Sequence, residues 1–241
     1  MPLSIQASDG PIRSHRLSGG FRVMPFNSDS VQSILLLSLR VSGTATLISA
    51  LLGVPLGTWI GLSRSKWRWI LTSFVHTGMA LPPVVAGLFL YVLLSRSGPL
   101  GAFGWLFTPR AMIAAQICLA FPFVVGITMS AVSAVPEELA VQLRTLGASE
   151  AQCRWTILRE ARSGMLLSIA AAFGRSLSEV GAVLIVGGNI EGHTRVLTTA
   201  IVLETSKGNF DFALTLGVAL LLVAFAVNAA MVRWCGGRVL A

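Results

Sequence analysis

Charged residues are scarce in this 241-residue chain: Asp, Glu, Lys and Arg make up 12% of it, whereas 54% is hydrophobic. A soluble domain carries roughly 25% charged residues, so the composition excludes an ordinary soluble protein and indicates an integral membrane protein. The formal net charge of +8 would suit a nucleic-acid partner. The basic residues are scattered over short connections, however, which is typical of membrane-protein loops, and no nucleic-acid partner is predicted.

Residues that support catalysis or bind metals are also few. The three cysteines are far apart and form no CxxC pair, which argues against a disulfide framework or a zinc site. His76 has no carboxylate or cysteine three or four residues away to complete a metal pair. Only two lysines occur, Lys66 and Lys207, and each follows a serine, which excludes the P-loop sequence GxxxxGK followed by Ser or Thr. We therefore predict no enzyme, no metal site and no cofactor bound by this chain.

Five apolar segments are long enough to cross a membrane, for which a helix needs roughly 20 residues. The second contains Pro82 and Pro83, which must break or kink it. Residues 1–30 are predicted to be a polar tail without a cleaved signal peptide, and residues 31–241 a transmembrane domain. The prediction is an all-α integral membrane protein with five transmembrane helices, at approximately Val31–Leu62, Trp69–Ser95, Ala111–Val135, Met165–Val186 and Phe212–Val232.

Lysine and arginine are unequally divided between the two sides of these helices. Nine lie in the 1–2 connection, the 3–4 connection and the C-terminal end, whereas four lie in the 2–3 and 4–5 connections. Cytoplasmic loops carry the excess of Lys and Arg, so the C-terminus is predicted to be cytoplasmic and the N-terminus outside. Arg13, Arg16 and Arg22 in the N-terminal tail run against this orientation and leave open an additional, surface-lying element there.

A polar segment between the third and fourth spans, 137–162, predicts two short helices joined by a sharp turn at the membrane surface. Pro136 can open the first helix, because its missing N–H falls among the unsatisfied first-turn donors. Gly147 suits the left-handed position that ends a helix. Ser149 and Gln152 fit a capping box for the next. In a soluble protein the pattern would indicate a DNA-binding helix-turn-helix, but here membrane spans flank it, so a protein contact is expected.

Two charged residues lie inside the fourth span. Arg175 and Glu179 are four residues apart, which lets them pair on a helix. Charges within the membrane are costly and usually face a bundle interior or a wet cavity. One interpretation makes them translocation-path or gate residues, together with the helix-breaking Pro82 and Pro83; the alternative is an ion pair that only fixes helix packing.

Small residues repeat late in the first span. Gly53, Gly57 and Gly61 recur every four residues, so they lie on one helix face and allow another helix to approach closely. The sequence leaves two partners open for this face: another helix of the same chain or a second subunit.

The polar segment resembles the signature loop of ABC importer permeases. The sequence LRTLGAS, Leu143–Ser149, is similar to the core of that loop around its glycine, and Ile157 stands where the family has an apolar residue. Two positions depart from the family pattern: Val141–Leu143 replaces its EAA triplet, and Glu160 replaces its proline.

The likeness extends over almost the whole chain. LPPVVAGL, Leu81–Leu88, resembles the second-helix motif of molybdate, tungstate and sulfate permeases. The segment Gly174–Thr205, with its SEVGAV and LTTAI sequences, looks like the tungstate type. The substrate that the resemblance implies is tungstate, with molybdate or sulfate as alternatives in the same class. A stand-alone anion channel is the alternative from another class, and the polar segment argues against it.

The resemblance implies the type I ABC importer permease fold and a homodimer in the prokaryotic inner (plasma) membrane. Two ABC ATPase subunits on the cytoplasmic side would bind and hydrolyse ATP and receive the helix pair. An extracytoplasmic oxyanion-binding protein would deliver the anion. The residues implied in ATPase coupling are Leu143, Arg144, Leu146, Gly147, Ala148, Ser149 and Ile157.

Overall fold

The chain folds into α-helices in the computed structural model, which describes residues 28–63 and 65–234. These ranges contain no strand, and one short 3-10 helix, Gly101–Phe103, lies between α3 and α4. The predicted N-terminal tail falls almost entirely outside the described residues. The α-helices are α1 Ser28–Leu62, α2 Arg68–Met79, α3 Pro83–Leu94, α4 Pro109–Ser133, α5 Glu137–Thr145, α6 Glu150–Leu177, α7 Gly181–Gly187, α8 Leu197–Ser206 and α9 Phe210–Trp234.

Prolines set several of the helix starts. Pro83 is the first residue of α3, and Pro109 is the first residue of α4. The N–H groups of a first helical turn have no acceptor within the helix, so a proline there costs no hydrogen bond. Pro136 precedes α5 as its N-cap residue. Between α2 and α3 the chain bends by 94°. The break predicted at Pro82 and Pro83 is therefore confirmed.

The fourth predicted span differs from expectation at both ends. Helix α6 begins at Glu150, in the polar segment, and runs without interruption for 28 residues to Leu177. The second surface helix is therefore not short, because Ser163 and Gly164 weaken a helix without ending it. After Leu177 the chain bends by 57° into α7, a break that hydropathy alone does not reveal.

Three described helices are long and apolar enough to cross a membrane unaided: Val31–Leu62, Pro109–Ser133 and Phe210–Met231. The bent pairs α2–α3 and α6–α7 each meet the same criterion when their two helices are taken together. The structure is thus that of an integral membrane bundle with three to five crossings. The 4–5 connection contains α8.

The glycine face of α1 packs against α4 of the same chain. A Cβ on Gly57 would lie 2.6 Å from the carbonyl oxygen of Val125, and one on Gly61 would lie 2.9 Å from Cβ of Val132. No side chain fits at these distances, so the glycines set how closely the two helices approach. The structure assigns this face to packing within the chain, and α1 and α4 run parallel.

Helices α4 and α6 run antiparallel and are joined by buried polar contacts. The hydroxyl oxygens of Thr128 and Ser168 lie 3.0 Å apart. Further along, Nε2 of Gln116 donates to the carbonyl oxygen of Ser176 at 2.9 Å. The largest apolar cluster lies beside this pair and brings α3 and α7 onto α4 through residues such as Ala86, Met112 and Val183.

Candidate functional site

The segment 137–162, called the elbow below, ends its first helix with a complete Schellman motif. Gly147 has φ +80°, the left-handed conformation that favours glycine. Its N–H donates to the carbonyl oxygen of Arg144, and the N–H of Ala148 donates to that of Leu143, both at 3.0 Å. These two bonds satisfy carbonyls that a helix end leaves free. The turn predicted at Gly147 is confirmed.

The second helix of the elbow starts at a complete capping box. The N–H of Gln152 donates to the side chain of Ser149, and the N–H of Ser149 donates to Oε1 of Gln152. Across the turn, Arg144 donates through Nε and Nη2 to the two carboxylate oxygens of Glu150, at 2.8 and 3.2 Å. This contact raises the pKa of the Arg144 guanidinium. The elbow therefore holds its own shape through local bonds.

The elbow exposes apolar side chains at its turn and along its helices. Leu146 is 84% exposed at the turn, and Val141 and Trp155 are also exposed. Exposed apolar side chains that are grouped beside charged residues mark contact surfaces. Leu143 and Ala148 are half-buried, behind the tip.

Ile157 lies away from the exposed turn, in a crevice that Arg144 also lines. It lines this crevice with Leu62 and Ala140, between the elbow and the end of α1. Its side chain is half-buried there and is not part of the exposed turn.

The elbow lies at the basic end of the bundle. Nη2 of Arg68 donates to Oγ of Ser133 at 2.6 Å, which brings the start of α2 beside the end of α4. Because α5 follows α4 directly, the 1–2 and 3–4 connections meet at this end. The basic residues among the described parts of these connections are Lys66, Arg68, Arg144, Arg154, Arg159 and Arg162.

The two helix breaks contact each other in the bundle. A Cβ on Gly87 of α3 would lie 2.7 Å from Cα of Ala182 in α7. One on Gly181 would lie 3.0 Å from Cγ2 of Val84. The starts of α3 and α7 are therefore in direct backbone contact, and this region, with Pro82, Pro83 and Glu179, is called the central junction below.

Glu179 lies in the break between α6 and α7. It is 5% exposed, and its Oε1 accepts the N–H of Ala182 at 3.0 Å, which caps the first turn of α7. The hydroxyl of Thr198 donates to the carbonyl oxygen of Glu179 at 2.9 Å. Two contacts from different directions thus hold this residue in place.

Arg175 lies in the last turn of α6 and does not pair with Glu179. Its guanidinium carbon lies 5.4 Å from the centroid of the Phe123 ring on α4, a cation–π contact. Its Nε is buried without a hydrogen-bond partner. The helical i, i+4 geometry that would join the two residues ends at Leu177, so the ion pair considered from the sequence does not form. Within the described ranges, Arg175 has no acidic partner.

Sequence reasoning missed Phe123, Thr198 and Gln116. Phe123 and Thr198 carry no local signal, because their roles arise from contacts between distant segments. Gln116 could have been noticed as a lone amide in an apolar span, where polar side chains usually face the bundle interior. Its Oε1 is buried without a partner, near the backbone of α6.

The fold and the elbow define a multi-helix integral membrane protein. Residues 53–236 match the model of a family described as binding-protein-dependent transport system inner membrane component. The chain belongs to this family, and the family predicted from its sequence is confirmed.

Curated relatives cover most of the chain. A probable anion ABC transporter permease protein of Haloferax volcanii is 42% identical, over 89% of this chain and 94% of the relative. The tungstate uptake system permease protein TupB of Peptoclostridium acidaminophilum is 42% identical, over 83% and 87%. The molybdenum transport system permease protein ModB of Azotobacter vinelandii is 28% identical, over 74% and 82%.

Among solved structures, the inward-facing MetNI methionine ABC transporter is similar in fold. The TM-score is 0.67 with 17% identity, over 86% of this chain and 95% of that chain. At this identity the likeness concerns the fold alone.

Proposed function

We propose that this chain is the membrane-spanning permease subunit of an ATP-driven importer for an oxyanion, and that the oxyanion is tungstate. The observation that carries the mechanism is the self-capped elbow with its exposed Leu146 at the basic end of the bundle. The substrate rests on the 42% identity to a tungstate uptake permease, against 28% for a molybdenum permease. Molybdate is the second candidate.

We propose five crossings, with each bent pair spanning the membrane once. The basic end is cytoplasmic, because loops rich in Lys and Arg stay on that side. The C-terminus is then cytoplasmic and the N-terminus outside. The functional unit is a homodimer of this chain in the inner membrane, with two ABC ATPase subunits at the elbows and an extracytoplasmic oxyanion-binding protein on the opposite face.

The elbow supplies the mechanical connection. Leu143, Leu146 and Ala148 are the apolar contacts that the ATPase receives, with Gly147, Arg144 and Ser149 fixing the turn. The chain binds no cofactor; the separate ATPase subunits bind and hydrolyse ATP. Because α6 continues from the elbow to the central junction, movement of the ATPase shifts the bundle between outward- and inward-open packings.

The central junction is the proposed path or gate. Pro82 and Pro83 end one half-helix and start the next, and Glu179 fixes the start of α7 against them. Arg175 places a positive charge nearby without an acidic partner in the described residues. An oxyanion in transit would supply the missing negative charge. Arg175 is therefore the residue proposed to contact the anion.

Uptake into whole cells tests the substrate. Cells with and without this chain are offered labelled tungstate with an excess of unlabelled tungstate, molybdate or sulfate. We expect chain-dependent uptake that tungstate suppresses most strongly, molybdate less and sulfate least. Equal suppression by sulfate would refute the assignment. Arg175→Gln should reduce uptake while the protein stays in the membrane, and unchanged uptake would remove Arg175 from the path.

Co-purification tests the coupling surface separately. Leu146→Asp replaces an exposed side chain, so the permease itself should fold normally, yet the ATPase subunit should no longer co-purify with it. The matched control is Leu214→Asn on α9, which is also exposed but distant from the elbow and should retain the ATPase.

A further inference from the structure

A groove of about 610 Å³ runs between α1 and α6 near the basic end of the bundle. Helix α1 contributes Val54, Pro55 and Thr58 to one wall. The other wall is α6. The groove belongs neither to the tip of the elbow nor to the central junction. Its lining on α6 is Trp155, Leu158, Arg159, Arg162 and Met165.

The α6 wall is a single stripe of residues that contains both apolar and positively charged side chains. Leu158 and Arg159 are neighbours, and the other residues lie three or four positions from one of them or from Arg162, so the set shares one helix face. Trp155 and Leu158 come first on the elbow side, Arg159 and Arg162 supply two guanidinium groups in the middle, and Met165 adds apolar surface further along α6. Neither arginine forms a salt bridge within the described residues. The groove thus combines two arginines that have no salt-bridge partner in the described residues with an apolar lining.

Exposed tryptophans place this groove at the level of the membrane surface. Trp59 is on the last turn of α1, Trp67 and Trp69 are at the start of α2, and Trp155 borders the groove; all four are exposed. Tryptophan is enriched where hydrocarbon meets headgroups, so four at one end of a bundle mark that boundary. Val54 lies about 6 Å deeper along α1 than Thr58, because a helix rises 1.5 Å per residue.

We propose that this groove binds an anionic phospholipid. The phosphate pairs with Arg159 and Arg162, whose guanidinium groups suit a phosphate's oxygens. One acyl chain lies along Val54, Pro55 and Met165. Basic pockets between membrane helices on the cytoplasmic side are the sites that bind anionic headgroups. The positive charge of the groove, its level at the membrane surface and its apolar lining therefore all favour an anionic phospholipid. This proposal does not depend on what the protein transports.

The test is native mass spectrometry of the full-length chain in detergent, titrated with phosphatidylglycerol or with zwitterionic phosphatidylcholine. Wild type should bind phosphatidylglycerol more tightly. A basic residue beside an anionic surface contributes about 1 kcal/mol of binding free energy, which corresponds to about a fivefold change in affinity. We therefore expect Arg159→Gln and Arg162→Gln each to weaken phosphatidylglycerol binding about fivefold, and the double variant about 25-fold. Arg154→Gln removes the same charge from the same helix outside the groove and should change affinity less than twofold, roughly.

A second variant leaves the charges in place. Thr58→Trp fills the groove, so it should also reduce phosphatidylglycerol binding, even if the double arginine variant fails to fold. The proposal is wrong if both lipids bind wild type equally, or if neither the double variant nor Thr58→Trp reduces binding. It is also wrong if inorganic phosphate displaces the lipid, which identifies a free-anion site, or if the ATPase subunit displaces it, which assigns the groove to a protein contact.

Discussion

The elbow and the central junction are stabilised by opposite kinds of contact. In the elbow, every bond that defines the turn joins residues no more than six positions apart, from the Schellman motif to the Arg144–Glu150 pair. In the central junction, α3 joins α7 and Thr198 joins Glu179 across long stretches of chain, whereas the Glu179–Ala182 cap is local. A locally determined part can keep its shape while it moves as a unit. A part assembled from distant segments can change shape when those segments move.

The largest effect is expected from a substitution that disrupts the elbow and leaves the central junction unchanged. Gly147→Asp places a side chain at φ +80°, a conformation that costs a non-glycine residue about 1–2 kcal/mol, and adds a charge beside Leu146. We expect the variant to reach the membrane but to lose substrate-stimulated ATPase activity in the assembled complex. That activity is measured in reconstituted vesicles.

The matched control is Gly208→Asp, because Gly208 has φ +77° and equally open surroundings but lies between α8 and α9. It should retain stimulated ATPase activity. Wild-type activity from Gly147→Asp would contradict the coupling role of the elbow.

The next effect tests the close approach in the central junction. Gly87→Ala adds a Cβ that would lie 2.7 Å from Cα of Ala182, so α3 and α7 must separate. Overpacking of this kind costs about 1–3 kcal/mol in the free energy of unfolding. Gly174→Ala is the control, because its Cβ meets no atom within 4 Å. It should be neutral or stabilising by up to about 1 kcal/mol. Denaturant unfolding in detergent measures both, and equal effects would argue against the close contact.

Glu179 gives an equal or smaller effect and a more selective test of the same region. Glu179→Ala leaves the buried N–H of Ala182 without its acceptor, which costs about 1–3 kcal/mol. Glu179→Gln keeps an oxygen that can accept this bond and should cost less. The comparison is made by thermal unfolding of the two variants. If the two variants are equally destabilised, Glu179 does not stabilise the protein through its hydrogen bond to the N–H of Ala182.

The smallest expected effect concerns the exposed cap of α6. Ser149→Ala removes the capping box and should lower the free energy of unfolding by about 1 kcal/mol. Ser206→Ala is the control: its hydroxyl donates to the carbonyl oxygen of Val202 inside a helix and caps nothing, so the change should be smaller. Hydrogen exchange of the elbow amides should quicken only in Ser149→Ala. Faster exchange throughout the bundle would mean that the cap stabilises more than its own turn.

The same contrast explains which parts could be predicted from the sequence. The turn of the elbow is specified by residues that are close together in the sequence, Pro136, Gly147, Ser149 and Gln152. Their spacing alone was therefore sufficient to predict it. The break at Pro82 and Pro83 was predictable for the same reason, because a proline's missing N–H acts on its own helix.

The break after Leu177 was not predictable in that way. No proline marks it, and the polar residues Ser178 and Glu179 interrupt the apolar sequence only briefly, so the two helices together still have the hydropathy of one span. Glu179 caps α7 through Ala182, three residues further on, but its backbone is held by Thr198, which comes close to it only in the folded chain. The Arg175–Phe123 contact between α6 and α4 is equally beyond the reach of sequence spacing.

The unbroken course of α6 has a geometrical consequence. At 1.5 Å per residue, 28 residues form a rod of about 42 Å. If this rod pivots at its surface end by about 5°, its far end is displaced by about 4 Å, more than the diameter of a water molecule. In the proposed mechanism, a small angular change at the elbow would thereby become a larger displacement at the far end of α6.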